Sequence, residues 1–287
     1  MTGMISCKAQ QPDSLKLPHS KDNNTLLWEI SGKGLKKPSY LFGTFHLLCK
    51  DDIHITQNLQ QAIKNADEVY FEMDLDDPTN TLGAMFFMNM KNKTLKDLYT
   101  PAEYDRVATF FKDSLKMKIS FFEKMKPMML EALLYPRMMP CKTPSGVEME
   151  LMSYAKKQKK EIKGFETIEF QSSVFDSIPY ELQAKALLKD IDSAASAKLY
   201  FSKMMNMYTS QNTDALAKIM ADTTFSQGEN DDLLLKNRNE NWVKQLDTIL
   251  KQKNIFMGVG AAHLLGDVGL IALLRKQGYT VTPLNNK

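Results

Sequence analysis

The chain has few histidines and cysteines, 4 and 3 in 287 residues, and no apolar run approaching the ~20 residues that cross a bilayer. The missing run excludes a transmembrane helix, so any membrane attachment would be a lipid. The three cysteines, Cys7, Cys49 and Cys141, form no C-x-x-C pair and no readable framework, which argues against a cysteine zinc site and a disulfide scaffold. Cys141, between Pro140 and Lys142, reads as a half-buried structural thiol. The formal net charge is only +3, with dispersed lysines and no basic stripe carrying aromatics, so nucleic acid is not an expected partner. There is no G-x-S-x-G elbow and no repeat at a solenoid period.

The remaining composition is that of an ordinary globular protein, 43% hydrophobic and 25% charged. A polar tail covers residues 1–24. Within it, Met4-Ile5-Ser6 before Cys7 resembles the end of a bacterial lipoprotein signal. Met1 to Ser6 is too short to hold the basic and apolar parts of such a signal, so this reading supposes a truncated start. It gives a lipid anchor at Cys7 and a place in the cell envelope, on the periplasmic side or surface; the alternative is an accidental cysteine in a cytoplasmic protein.

Residues 25–287 read as one α/β domain. The segments 25–32 and 39–46 form a hairpin across a Gly/Lys/Pro turn. Residues 56–66 form a helix with Thr56 as N-cap and Leu59, Ala62, Ile63 and Ala66 on one face. Val69 to Met73 is a buried strand. From about 82 to 250 the pattern is almost wholly helical, with one short strand candidate at 159–166 and a Pro-rich break at 135–146. After that break, Ser145 and Glu148 have the spacing of a capping box. The chain has 19 methionines, the helices are rich in them, and methionine at helical spacing reads as adaptable core filler. Residues 254–260 form a strand, 267–278 a helix stopped by Gly278, and 279–284 a last strand. The fold class is α/β: a central mixed sheet formed by the N- and C-terminal segments, with a large, mainly helical insertion.

Two of the four histidines stand three residues after a glycine where a strand ends, Gly43 to His46 and Gly260 to His263. Chance supplies only about 0.2 such matches at this composition. Glu72 leaves a third strand end, and a carboxylate there is costly to bury without a cation, a metal or strong donors. Asp74 lies on the same side as Glu72 by alternation. Two imidazoles and a carboxylate suit a divalent metal with open positions, and by ligand type zinc, manganese, iron and cobalt all qualify. Without a metal, His46 could act as general base on water, oriented by Glu72.

The blocks G-T-F-H (43–46), F-E-M-D (71–74), G-F-E-T-I-E-F-Q (164–171), R-N-x-x-W (238–242) and G-V-G-A-A-H (258–263), in that order, resemble the TraB/GumN family, which includes the PrgY proteins and the Tiki-type metalloproteases. The resemblance covers about residues 25–284. It implies a fold related to the erythromycin-esterase and ChaN group and, for the Tiki branch, peptide cleavage favoured by manganese or cobalt, with zinc also admitted. Carried over, it assigns His46, His263 and Glu72 to the metal and to catalysis. Arg238 would be a fixed charge that pairs with Glu72 or stabilises an oxyanion, and Glu166 would orient a ligand histidine. Asn239, Asp74, Gly43 and Gly260 stand around them, with Glu169 and Gln171 in the middle block. The expected function is a metal-dependent peptidase acting on a peptide or small molecule. The alternatives are a protein that sequesters a peptide or haem and iron, and a metal-free esterase.

Overall fold

A computed structural model describes residues 17–20, 23–74, 76–77, 87–220 and 232–287. Its centre is a six-stranded mixed sheet built from β1 (Leu27–Ser31), β2 (Ser39–Thr44), β4 (Glu68–Met73), β6 (Glu161–Glu166), β7 (Ile255–Gly260) and β8 (Thr280–Pro283), in the order β6-β4-β7-β2-β1-β8. A second, two-stranded ladder joins β3 (Leu48–Cys49) to β5 (Pro144–Ser145). β6, β4, β7 and β2 run parallel, so four strand ends open side by side on one edge. β1 runs antiparallel to both β2 and β8.

Alternation along the strands divides the core into two layers. Tyr40, Phe42, Val69, Phe71 and Phe256 face the helix Gln57–Asn65 and the helical insertion. Leu41, Tyr70, Ile255, Met257 and Val259 face the helices Asn237–Gln252 and Leu270–Lys276, with Trp242 at the centre. Parallel strands covered on both faces read as continuous apolar runs, which is why Val69 to Phe71 and Ile255 to Val259 carry no charged side chain. Burying each such side chain contributes roughly 2 kcal/mol. The Gln57–Asn65 helix starts as expected, with Thr56 Oγ1 accepting from Leu59 N at 3.2 Å. Buried Met90, Met138, Met139, Met152, Met205 and Met257 belong to the core.

The short strand inside the helical stretch is an edge strand of the main sheet, paired to β4. Its Gly164 is required by close approach, since a Cβ there would lie 2.3 Å from the backbone N of Asp74.

Two local expectations are corrected. The helix Val147–Lys157 has Gly146 as N-cap with no side-chain cap bond; Ser145 Oγ donates instead to Glu150 Oε1 at 2.7 Å, and Glu148 is drawn inward to other partners. Cys141 is not a free thiol: it forms a disulfide with Cys49, their Cα atoms 5.8 Å apart across 92 residues of sequence. Tertiary pairing of β3 with β5 brings the two together, and a spacing that long carries no local signature. Among the described residues no helix is long and apolar enough to cross a membrane. Cys7 lies outside the described residues.

Candidate active site

The parallel strand ends deliver the site. Two residues past β2, His46 emerges with a 76% exposed side chain. Past β7, the short turn Ala261–Leu264 carries His263, which is buried. β4 contributes Glu72 and β6 contributes Glu166.

Both motif glycines stand at close approaches. A Cβ on Gly43 would lie 3.1 Å from Ala261 Cα, crowding the turn that holds His263. A Cβ on Gly260 would lie 3.2 Å from Glu72 Oε1, 3.7 Å from His263 Cδ2 and 3.9 Å from His46 Nε2. The space over Gly260 is therefore a cradle bounded by both histidines and the carboxylate. Gly260 N also donates to Glu72 Oε1 at 2.9 Å.

Arg238, in the first turn of the helix Asn237–Gln252, ties these pieces together. Its Nε donates to Glu166 at 3.0 Å, and its Nη2 donates to Glu72 Oε2 at 2.7 Å and Glu166 Oε2 at 2.8 Å. Nη1 donates to Leu234 O at 3.1 Å and contacts His263 Nε2 at 3.2 Å. A guanidinium has five N–H donors, and these contacts account for all five. Arg238 thus pairs with Glu72, and as arranged it has no donor left for an oxyanion. Its guanidinium also lies over Trp242, 4.9 Å from the ring centroid. Glu166 further accepts from Trp242 Nε1 at 2.8 Å and Gln171 Nε2 at 3.1 Å, so it orients the arginine rather than a histidine.

Each histidine is held by its other nitrogen. Asn239 Nδ2 donates to Val268 O at 2.8 Å, which turns Oδ1 toward His263 Nδ1 at 2.6 Å. The network therefore puts the His263 proton on Nδ1 and leaves Nε2 bare. His46 Nδ1 lies 2.8 Å from Glu148 Oε1, which also accepts from Thr44 Oγ1 at 2.5 Å. His46 thus turns Nε2 toward the cradle, while His263 borders it with Cδ2 and has Nε2 between Arg238 Nη1 at 3.2 Å and Glu72 Oε1 at 3.8 Å. The hydrogen bond to Glu148 pushes His46 up to about 9, whereas burial, aided by the Arg238 charge, brings His263 down to about 4. Burial alone would raise Glu72, but charge on His263, Arg238 and His46 outweighs it and holds the carboxyl at about 2. At neutral pH His46 is an imidazolium, His263 is neutral and Glu72 is a carboxylate, a divergence of pKa values found where acid and base roles are divided.

Asp74 lies just past β4, where its Oδ1 accepts from Asp76 N at 3.2 Å. It lines a groove with Glu166, Thr167 and Glu169 beside β6. Glu169 is exposed on the helix Ile168–Asp176, and Asn239 is buried behind His263. Glu148 escaped the motif reading. Its signal was present: Glu148, Leu151, Met152 and Ala155 have helical spacing on one buried face, and a glutamate in that row calls for a partner.

In donor chemistry, His46 Nε2, His263 Nε2 and Glu72 Oε1 suit a divalent ion; a metal-bound histidine commonly gives its second N–H to a carboxylate or carbonyl, as both do here. Among the described residues, no group of three His, Cys, Asp or Glu side chains is gathered closely enough to hold an ion. The His263 lone pair faces Arg238 Nη1, a contact that an ion would have to replace.

Residues 26–283 match the family model described as the TraB/PrgY/gumN family. The chain is similar to the zebrafish (Danio rerio) Metalloprotease TIKI1, 24% identical over 336 aligned positions covering 96% of this chain and 65% of that protein. It is also similar to the zebrafish Metalloprotease TIKI2, 21% identical over 317 positions covering 91% and 61%. The chain therefore spans less than two thirds of the length of these relatives. No solved structure matches it.

Proposed function

The chain belongs to the TraB/PrgY/gumN family, and from that premise we propose that it is a metal-dependent hydrolase that cleaves peptide bonds in the cradle over Gly260. The observation that carries this reading is the convergence of two imidazoles from separate strand ends on Glu72 Oε1: each is tied at Nδ1, His46 brings Nε2 to the cradle, and His263 Nε2 lies 3.8 Å from that oxygen. The similarity to two proteins named metalloproteases supports peptide as the substrate class.

His46 Nε2, His263 Nε2 and Glu72 Oε1 are the atoms that would hold the ion. When bound, a divalent ion supplies a Lewis acid for the scissile carbonyl and lowers the pKa of a bound water. The chain's own residues prepare the site. Gly260 N–H and Arg238 keep Glu72 ionised, Asn239 fixes the His263 tautomer, and Glu166 with Trp242 fixes Arg238. Imidazole ligates as the neutral form, so the proton on His46 competes with metal and its release accompanies binding. Manganese or cobalt is the expected ion, with zinc the third choice.

The contact between Arg238 Nη1 and His263 Nε2 favours a second reading, in which no ion enters and neutral His46 activates water; chelator-resistant activity that rises toward pH 9 would distinguish it. The test is cleavage of quenched-fluorescent casein and peptide pools by full-length protein with EDTA, manganese, cobalt or zinc. The leading reading predicts EDTA-sensitive cleavage that is absent in Glu72→Gln. Cleavage unaffected by that substitution would refute it.

We further read the chain as an envelope protein. Support comes from the Cys49–Cys141 disulfide, a bond that persists in oxidising compartments. Lipid anchoring at Cys7 belongs to the same proposal.

A further inference from the structure

His46 protrudes from the end of β2 with three quarters of its side chain in solvent, a setting in which an imidazole ordinarily samples several rotamers. Here one bond fixes it. Glu148 Oε1 lies 2.8 Å from His46 Nδ1, and Thr44 Oγ1 donates to the same oxygen at 2.5 Å. Glu148 is itself only 8% exposed, and a carboxylate that deeply buried is costly unless hydrogen-bonded and paired. It sits in the first turn of its helix, where the backbone dipole favours an acid, yet it caps nothing there.

The two segments that meet at this bond are laced together. Val147 N donates to Phe45 O at 3.0 Å. Leu48 then pairs with Ser145 and Cys49 with Pro144, and the disulfide to Cys141 closes the far end. A glycine precedes the helix for a reason of space: a Cβ on Gly146 would lie 2.9 Å from His46 O. The backbone arrangement thus brings the carboxylate against the imidazole from inside the protein.

We propose that Glu148 is a positioning residue for His46, its buried carboxylate gripping the ring by Nδ1–H so that Nε2 alone is offered to the cradle over Gly260. This inference rests on the reading of His46 Nε2 as the working atom and extends it to a residue outside the Gly-x-x-His motifs. It also makes the two histidines inequivalent, since His46 is held by a carboxylate and His263 by the neutral amide of Asn239.

The test uses full-length protein with 15N-labelled histidine. Only 4 histidines are present, and His46 is assigned by its loss in His46→Ala. Wild type should show a downfield, exchange-protected Nδ1–H signal for His46. Glu148→Ala should lose it, and Glu148→Gln, which keeps an acceptor without the charge, should retain it at a less downfield shift. On quenched-fluorescent casein, kcat should fall about 10- to 100-fold in Glu148→Ala with KM little changed, and recover in part in Glu148→Gln. The NMR signal is read without substrate or metal, so a chain that cleaves nothing would refute the hydrolase reading while this grip is still tested. A folded Glu148→Ala that keeps the wild-type His46 signal would overturn the inference. If the alanine variant does not fold, an unchanged shift in Glu148→Gln would overturn it.

Discussion

Arg238 and Glu72 form a nearly buried ion pair, Nη2 to Oε2 at 2.7 Å, across 166 positions of sequence. The pair joins a helix that covers one face of the sheet to the end of a strand inside it. Glu166, whose side chain is also buried, completes the cluster by accepting from the same nitrogen at 2.8 Å. Removing the arginine would leave two buried carboxylates without their cation.

Arg238→Ala should therefore destabilise the fold by about 3–5 kcal/mol, the usual cost of breaking a buried pair from one side. Arg238→Lys should recover only part of this, because an ammonium cannot reproduce the planar fork shared among Glu72, Glu166 and His263. Urea unfolding of the three proteins checks both values. An alanine variant within 1 kcal/mol of wild type would show that the cluster carries no such load.

The disulfide predicts a redox-dependent stability. Closing a loop of 92 residues is worth about 4–5 kcal/mol on the chain-entropy account, so reduction, or Cys49→Ser with Cys141→Ser, should lower the melting temperature by many degrees. Reductant should have no such effect on the double variant. Differential scanning calorimetry with and without reductant measures this, and identical melting of wild type in both conditions would contradict it.

A pH effect is expected away from the site. Glu131 is buried in the helical insertion, and burial, followed by its hydrogen bond to Asp190 and that group's charge, pushes its carboxyl up to about 8. In the unfolded chain it titrates near 4.3, so between these values the folded state holds more protons and stability falls as pH rises. Glu131→Gln should remove that slope and be more stable than wild type at pH 8, with the advantage shrinking toward pH 5. Urea titrations at pH 5 and pH 8 provide the comparison; an unaltered slope in the variant would count against it.

Much of the sheet was legible because its strands are apolar runs bounded by turn residues. Tyr40 to Phe42 and Ile255 to Val259 could be read directly, as could Thr56 as the cap of its helix. β6 was legible as a short strand inside the helical stretch, but its place was not: the pairing to β4 joins segments about 93 positions apart, and Glu161 to Glu166 mixes charge with apolar residues as an edge strand does. His46, Glu72 and His263 could be identified because a polar residue stands where each apolar run stops. The partners of Glu148 could not, because Thr44 and His46 lie 104 and 102 positions earlier in the chain, and only the folded β3–β5 ladder brings these segments together. The Cys49–Cys141 pair was hidden by the same distance. Arg238 and Glu166 carried a motif but no sign of each other, since their contact depends on the helix Asn237–Gln252 crossing the end of β6.

The central claim is that the two distant Gly-x-x-His motifs and Glu72 form one metal site, and calorimetric titration with manganese or cobalt tests it most directly. Full-length protein purified without chelator or histidine tag would be compared with His46→Ala, His263→Ala and Glu72→Gln. The account predicts about one ion per chain for wild type, with affinity lost in each of the three folded variants. A wild type that binds no divalent ion, or binding that survives all three substitutions, would contradict it.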